Sequence, residues 1–369
     1  MLTKHLPGLN SLRFFAAFFV VISHANISMI KLGIYPQYNV AFLNKGGDAV
    51  DFFFTLSGFL ITYLLFWEIK ETQTVSIRNF YIRRILRIWP LYFLIVLIGF
   101  IIMGVIYPWM YHQVYFDFPP WKGLLFFLFF LPNYAAKYYM VGLLNPLWSI
   151  GVEEQFYLFW APFIKITRKY LLPSILLFLI GSTIFYLAVE FDRFENLSYL
   201  KNFFLTQKFY AMATGSLFAY ILFHFKDIYN KSFLASQYFQ AFIWILIIGH
   251  YLFGFPFSES IFFKISLSYI YGLLILQISS AEKKLIQLER PVLIYLGSIS
   301  YGIYMFHMLV DYFLRFMTMK IINYDFSTTI LVSLYYILLL FMTILIAAFS
   351  QKYFEKYFLN LKYKLKTIK

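Results

Sequence analysis

A chain of 369 residues that is 62% hydrophobic and 24% aromatic, with 13% charged residues and a mean hydropathy of +0.71, carries more apolar surface than a soluble domain of this length can bury. Its net charge of +14 is confined to short segments between apolar runs and to the C-terminal tail, which is the positive-inside pattern rather than a nucleic-acid footprint. The absence of cysteine excludes disulfides, thiol nucleophiles, thiolate metal sites and palmitoylation.

Apolar runs of spanning length recur at 9–29, 48–67, 88–107, 144–164, 170–189, 203–223, 238–255, 261–279, 291–313 and 328–350. The first is too long for the apolar region of a signal peptide and is expected to stay as an uncleaved helix. With Lys4 in the cytoplasm, four basic segments fall on the same side: Lys70 to Arg87, Lys165 to Lys169, Lys226 with Lys231, and Lys283, Lys284 and Arg290. The tail 351–369 also lands there, whereas the segment with Glu190, Asp192 and Glu195 lands outside. Residues 122–135 are apolar but too short to span, and Pro132 ends their helical pattern, so a re-entrant or interfacial helix is predicted. The expected fold is therefore all-α: a polytopic bundle of about ten spans with both termini cytoplasmic. It comprises one transmembrane domain, 1–350, and a basic tail, 351–369.

Polar residues inside such runs need a reason. Arg13 and His24 are eleven residues apart, about three helical turns and about 16 Å of rise, so they share a face. They read either as a functional site or as a snorkelling arginine and a helix-bonding histidine. Asp51 opens the second span, where the helix dipole favours an acid, and Ser57 with Gly58 suits close helix packing. Arg83 and Arg87 share a helical face with Arg84 beside them, and either contact anionic lipid or clamp a phosphate. Trp89 and Tyr92 read as interface anchors.

The fourth run holds Trp148, Ser149, Glu153, Glu154, Gln155 and Tyr157. Ser149, Glu153 and Tyr157 line one face at i, i+4, i+8, and must point into the bundle. In the ninth run Ser300, Tyr304, His307 and Asp311 line one face. His307 reads as a structural or lining residue, and His250 as a structural one that belongs to no cluster. His5, His112 and His224 lie in or near interfacial segments.

Five stretches, LNSLRFFAAFFVVISH at 9–24, VDFFFTLSGFLIT at 50–62, RRILRIWPLY at 83–92, LWSIGVEEQFYL at 147–158 and LGSISYGIYMFH at 296–307, resemble the acyltransferase-3 family of integral membrane acyltransferases in content and order. The family's arginine, ten residues, histidine signature falls on Arg13 and His24. Its paired arginines fall on Arg83, Arg84 and Arg87, and its acidic motif on Trp148, Ser149, Glu153 and Tyr157. The chain departs from the pattern at Ala49, at Gly151 and at Glu355–Lys356.

The resemblance implies transfer of an acyl group, acetyl above all, from cytoplasmic acyl-CoA to a hydroxyl of a carbohydrate or cell-envelope glycan at a bacterial-type inner membrane. A neutral histidine suits deprotonation of that hydroxyl, which makes His24 the candidate base, acting directly or through an acyl intermediate. On this reading Glu153 orients the imidazole, Arg13 pairs with Glu153 or contacts a donor phosphate, and Arg83, Arg84 and Arg87 hold the coenzyme A phosphates. Asp51, Ser57, Trp148, Ser149, Tyr157, Tyr304 and His307 are the expected substrate-lining residues. No metal and no nucleic-acid partner is expected. The alternatives are a transporter or flippase for a polar or lipid-linked solute, which also places ionisable residues among its spans, and a non-catalytic envelope scaffold.

Overall fold

Backbone groups placed in hydrocarbon find no water, so runs this apolar satisfy their N–H and C=O groups internally as helices. The computed structural model describes residues 6–35, 40–193, 200–280, 284–321 and 327–366; Lys4, His5, Glu195, Lys283 and Lys369 lie outside them. Among the described residues there is no strand. The helices in order are α1 (Leu9–Lys31), α2 (Gly46–Thr72), α3 (Ile77–Ile101), which continues through a π-helical turn into α4 (Tyr107–Tyr111), α5 (Pro120–Leu128), α6 (Pro132–Tyr138), α7 (Leu147–Ile166) and α8 (Leu171–Glu190). They continue with α9 (Lys201–Thr206), α10 (Phe209–Lys231), α11 (Gln237–Phe253), α12 (Ile261–Ser280), α13 (Pro291–Ser298), α14 (Ser300–Ile321), α15 (Thr328–Ser350) and α16 (Lys356–Lys366).

All ten predicted runs are helical, but they are not ten equivalent spans. Among the described residues six stretches are long and apolar enough to cross a membrane: α1, α2, α3 with α4, α8, α12, and α15 with its continuation. The pair α13 and α14, bent by 64° around Ile299, makes a seventh. Of the remaining three, α11 has 17 residues, and α7 and α10 dilute their apolar sequence with charged and polar groups. By length and composition the described residues thus hold six candidate spans, or seven with the bent pair, beside the ten expected.

The 122–135 segment forms two helices instead of one, joined at Phe130, which has a positive φ of 54°. Pro132 does not end a helix there; it opens α6, where its missing N–H leaves no bond unmade. The fully buried Asn133 then donates to Thr206 Oγ1 (3.0 Å) and accepts from Gln155 Nε2 (2.9 Å), fixing α6 to α7 and α9. Gly151 is what allows this contact, because a methyl group at that position would overlap the Pro132 ring.

The tightest helix pair is α2 with α10. A methyl at Gly58 would overlap the Met212 carbonyl, and one at Gly215 the Thr55 carbonyl, so the two backbones touch as only small residues permit. Polar bonds register the contact: Thr62 donates to Ser216 (2.8 Å), Trp160 Nε1 donates to Thr62 (2.8 Å), and Lys208 Nζ donates to both Asp51 oxygens (2.7 Å each). Helix α1 is held on the other side, where a methyl at Gly297 in α13 would overlap the Asn10 backbone. Beyond the bend, α14 runs in the same direction as α1, since His24 meets His307 and, one turn further on both helices, Ser28 donates to Asp311 (2.8 Å).

Two outcomes follow. Gly58→Leu is expected to cost about 1–3 kcal/mol or more through overpacking and to lower the unfolding temperature of the purified protein, while Gly181→Leu, placed in open space, leaves it unchanged; equal behaviour of the two refutes the close-packing argument. Removing the ammonium in Lys208→Met strands Asp51, which is 2% exposed, and is expected to cost about 3–5 kcal/mol, with partial recovery in Asp51→Asn/Lys208→Met. Recovery is read from the same unfolding curves, and its absence argues against the pair as the source of the loss.

Candidate functional site

Five helices converge on a cavity of about 270 Å³. Helix α1 contributes Asn10 and Arg13, α2 contributes Phe53 and Ser57, and α3 contributes Arg84 and Arg87. The i, i+4, i+8 face of α7 contributes Ser149, Glu153 and Tyr157 together, and the bend before α14 brings in Ser300 and Tyr304. The shared helical face inferred from spacing is therefore a wall of this cavity. Three arginines surround it, and Glu153 is its one acidic lining residue.

The polar contacts inside are local. Tyr157 donates to Glu153 Oε2 (2.9 Å) and is hydrogen-bonded to Ser57. Tyr304 bonds Ser149 (2.6 Å) and donates to the Pro146 carbonyl (2.9 Å). Arg84 lies over the Tyr157 ring at 5.5 Å, and its buried Nε has no hydrogen-bond partner among the described residues. Arg13 reaches only Asn10 Oδ1, at 3.5 Å. Among the described residues none of Arg13, Arg84 and Arg87 has an ion-pair partner, Glu153 included. Guanidinium groups left this way in low dielectric favour an anion, and their planar forks suit phosphate or carboxylate oxygens.

Other expected site residues lie elsewhere. Arg83 pairs with Glu68 at 2.7 Å, because neighbouring residues point about 100° apart around a helix. Asp51 belongs to the ion pair with Lys208, and Trp148 packs edge-on against Phe54 at 5.8 Å. Trp89 is not a simple interface anchor: its Nε1 donates to Glu154 Oε2 (3.0 Å). Tyr92 is fully buried and donates to the Phe127 carbonyl (3.0 Å). His250, read from sequence as belonging to no cluster, bonds Asp48 (2.8 Å), which also pairs with Lys45 (3.4 Å).

His24 stands outside the cavity lining. About 16 Å along α1 from Arg13, it packs edge-on against His307 with ring centroids 4.9 Å apart. No hydrogen bond joins it to Glu153 among the described residues; its Nδ1 donates instead to the Val20 carbonyl (3.0 Å). The carboxylate nearest this level of α1 among the described contacts is Asp311, bonded by Ser28 one turn beyond His24. Ser28 (2.8 Å) and Tyr335 (2.8 Å) donate to Asp311, which pairs with Arg315 (3.3 Å). Tyr304 links the two regions, lining the cavity while its ring lies 5.6 Å from that of His307. Sequence spacing put His307 and Asp311 on the face of Tyr304, but not against α1.

Comparison with known proteins agrees with this arrangement of motifs. The peptidoglycan O-acetyltransferase OatA of Listeria monocytogenes is 29% identical over 182 residues, covering 47% of this chain and 26% of that protein. The O-acetyltransferase OatA of Staphylococcus aureus is 29% identical over 163 residues, covering 42% of this chain and 24% of its own. The matched segment thus spans about a quarter of each relative's length. No solved structure matches the chain. The acyltransferase-domain model matches residues 6–350, so the chain belongs to the acyltransferase-3 family.

Proposed function

We propose that this protein is a multi-pass inner-membrane O-acetyltransferase that moves an acetyl group from cytoplasmic acyl-CoA to a hydroxyl of a cell-envelope glycan, peptidoglycan being the acceptor its relatives' names suggest. The observation that carries this reading is the arginine cavity, where Arg13, Arg84 and Arg87 have no carboxylate partner among the described residues around a space with one acid in its lining, Glu153. Such a site fits a polyanionic donor. The positive-inside bias of Lys165, Arg168 and Lys169 at the α7–α8 turn supports a cytoplasmic position for the same end of the bundle, on the side where coenzyme A is found.

On this reading Arg84 and Arg87 hold phosphate oxygens, Arg13 lies deeper in the cavity, and the acyl end of the donor reaches past Tyr304 towards His24. The His24 imidazole takes the proton of the acceptor hydroxyl while the hydroxyl oxygen forms a bond to the acyl carbon. The thioester C–S bond breaks, and the departing thiolate takes up the proton. Asp311, not Glu153, is then the acid that stabilises the imidazolium form, and Glu153 balances the arginine cluster. Residues 1–350 make up the catalytic membrane domain and 351–369 a basic cytoplasmic tail.

The transporter reading draws on the helix broken at Ile299, whose bend faces the cavity, as in carriers built from interrupted helices. It is the one bent pair among the described residues, without the matching pair a carrier repeat would supply.

The test uses protein in lipid nanodiscs with radiolabelled acetyl-CoA and soluble peptidoglycan fragments. His24→Ala is expected to end transfer while the variant stays inserted and abundant. Arg84→Ala/Arg87→Ala is expected to weaken coenzyme A binding at least about tenfold, or about 1.4 kcal/mol. Normal transfer by His24→Ala refutes the base assignment, and absence of acetyl-CoA binding by the wild type moves the transporter reading ahead.

A further inference from the structure

The two histidines share one unusual property. His24 Nδ1 lies 3.0 Å from the Val20 carbonyl, and His307 Nδ1 lies 2.5 Å from the Tyr304 carbonyl. A carbonyl oxygen only accepts, so in both rings Nδ1 carries the hydrogen. Each imidazole is thus locked by its own helix into the tautomer whose lone pair sits on Nε2. His307 is fully buried, and its Nε2 has no hydrogen-bond partner among the described residues. A buried acceptor without a donor costs free energy unless something outside the chain supplies one. His24, edge-on against it, is partly exposed.

We infer that the paired Nε2 atoms of His24 and His307 form a seat for a polyhydroxylated acceptor, with His24 receiving the reacting hydroxyl and His307 holding a neighbouring O–H or N–H of the same sugar. This rests on the acetyltransferase reading and adds to it a second, substrate-contacting histidine. A single hydroxyl has one proton and satisfies one lone pair. Two acceptors side by side therefore select a ligand with two donors close together, which an amino sugar or a sugar diol has and a simple alcohol lacks. Beneath the seat, Asp311 is held by Ser28, Tyr335 and Arg315, so its oxygens are occupied and the acceptor's donors are left to the histidines.

The nitrogen roles give a direct test. In His307→Asn the side-chain amide stands near Nδ1 and preserves the bond to the Tyr304 carbonyl; in His307→Gln the amide oxygen stands near Nε2 and preserves the seat. Binding of an N-acetylglucosamine–N-acetylmuramic acid disaccharide to nanodisc-embedded protein is measured for the wild type and both variants, alongside their unfolding temperatures and acetyl transfer. The expected result is at least a tenfold weaker Kd and a raised acceptor KM in His307→Asn, with recovery towards wild type in His307→Gln. Wild-type binding by His307→Asn overturns the seat, as does a failure of the wild type to bind the disaccharide. Equal loss in both variants with lowered unfolding temperatures assigns His307 to packing and also overturns it. Disaccharide binding that depends on His307 without any transfer retains the seat and refutes the acetyltransferase reading instead.

Discussion

Charge compensation inside an apolar bundle is the constraint on which the rest of this structure depends. Nearly every acid in the helical core has a nearby donor: Asp51 has Lys208, Asp48 has His250 and Lys45, Glu68 has Arg83, Asp311 has Ser28, Tyr335 and Arg315, and Glu154 has Trp89. These pairs tie together helices distant in sequence, and each would be costly to break. Arg13, Arg84 and Arg87 are the exception. With the acids already engaged elsewhere, three guanidiniums converge on a cavity with Glu153 as its one acidic lining residue, which is the basis of the proposed anionic donor.

The second organising feature is the parallel course of α1 and α14. Close packing of Gly297 on the Asn10 backbone and the bend at Ile299 start the two helices together. Level by level they then present His24 against His307 and Ser28 against Asp311, while Arg13 and Tyr304 both line the cavity. The arginine cavity and the histidine pair are thereby linked through Tyr304, which lines the one and packs against the other. This matches a reaction whose donor carries phosphates at one end and a small reactive group at the other.

Much of this arrangement was legible in the sequence, for a physical reason. Helical periodicity fixes which residues of one helix share a face, so Ser149, Glu153 and Tyr157 line one cavity together, as do Ser300 and Tyr304, whereas Arg13 lines it and His24 does not. Periodicity says nothing about which helix a face meets. The contact of His24 with His307 instead of Glu153, the pairing of Asp51 with Lys208 across 157 positions, and the bond from Trp89 to Glu154 all depend on packing. Arg83 and Arg84 differ by one position, yet one serves Glu68 and the other the cavity. Hydropathy alone could not classify α7 and α10 for a related reason: both carry charged or polar groups within their apolar sequence and fall outside the candidate spans.

The most direct measurement is a structure of the nanodisc-embedded protein with a non-transferable acetyl-CoA thioether analogue. The account predicts that the analogue's phosphates lie within hydrogen-bond reach of Arg84 and Arg87 and that its acetyl group lies beyond Tyr304, beside His24 and His307. An analogue seated away from the arginines, or one whose acetyl group points away from the histidine pair, would contradict it.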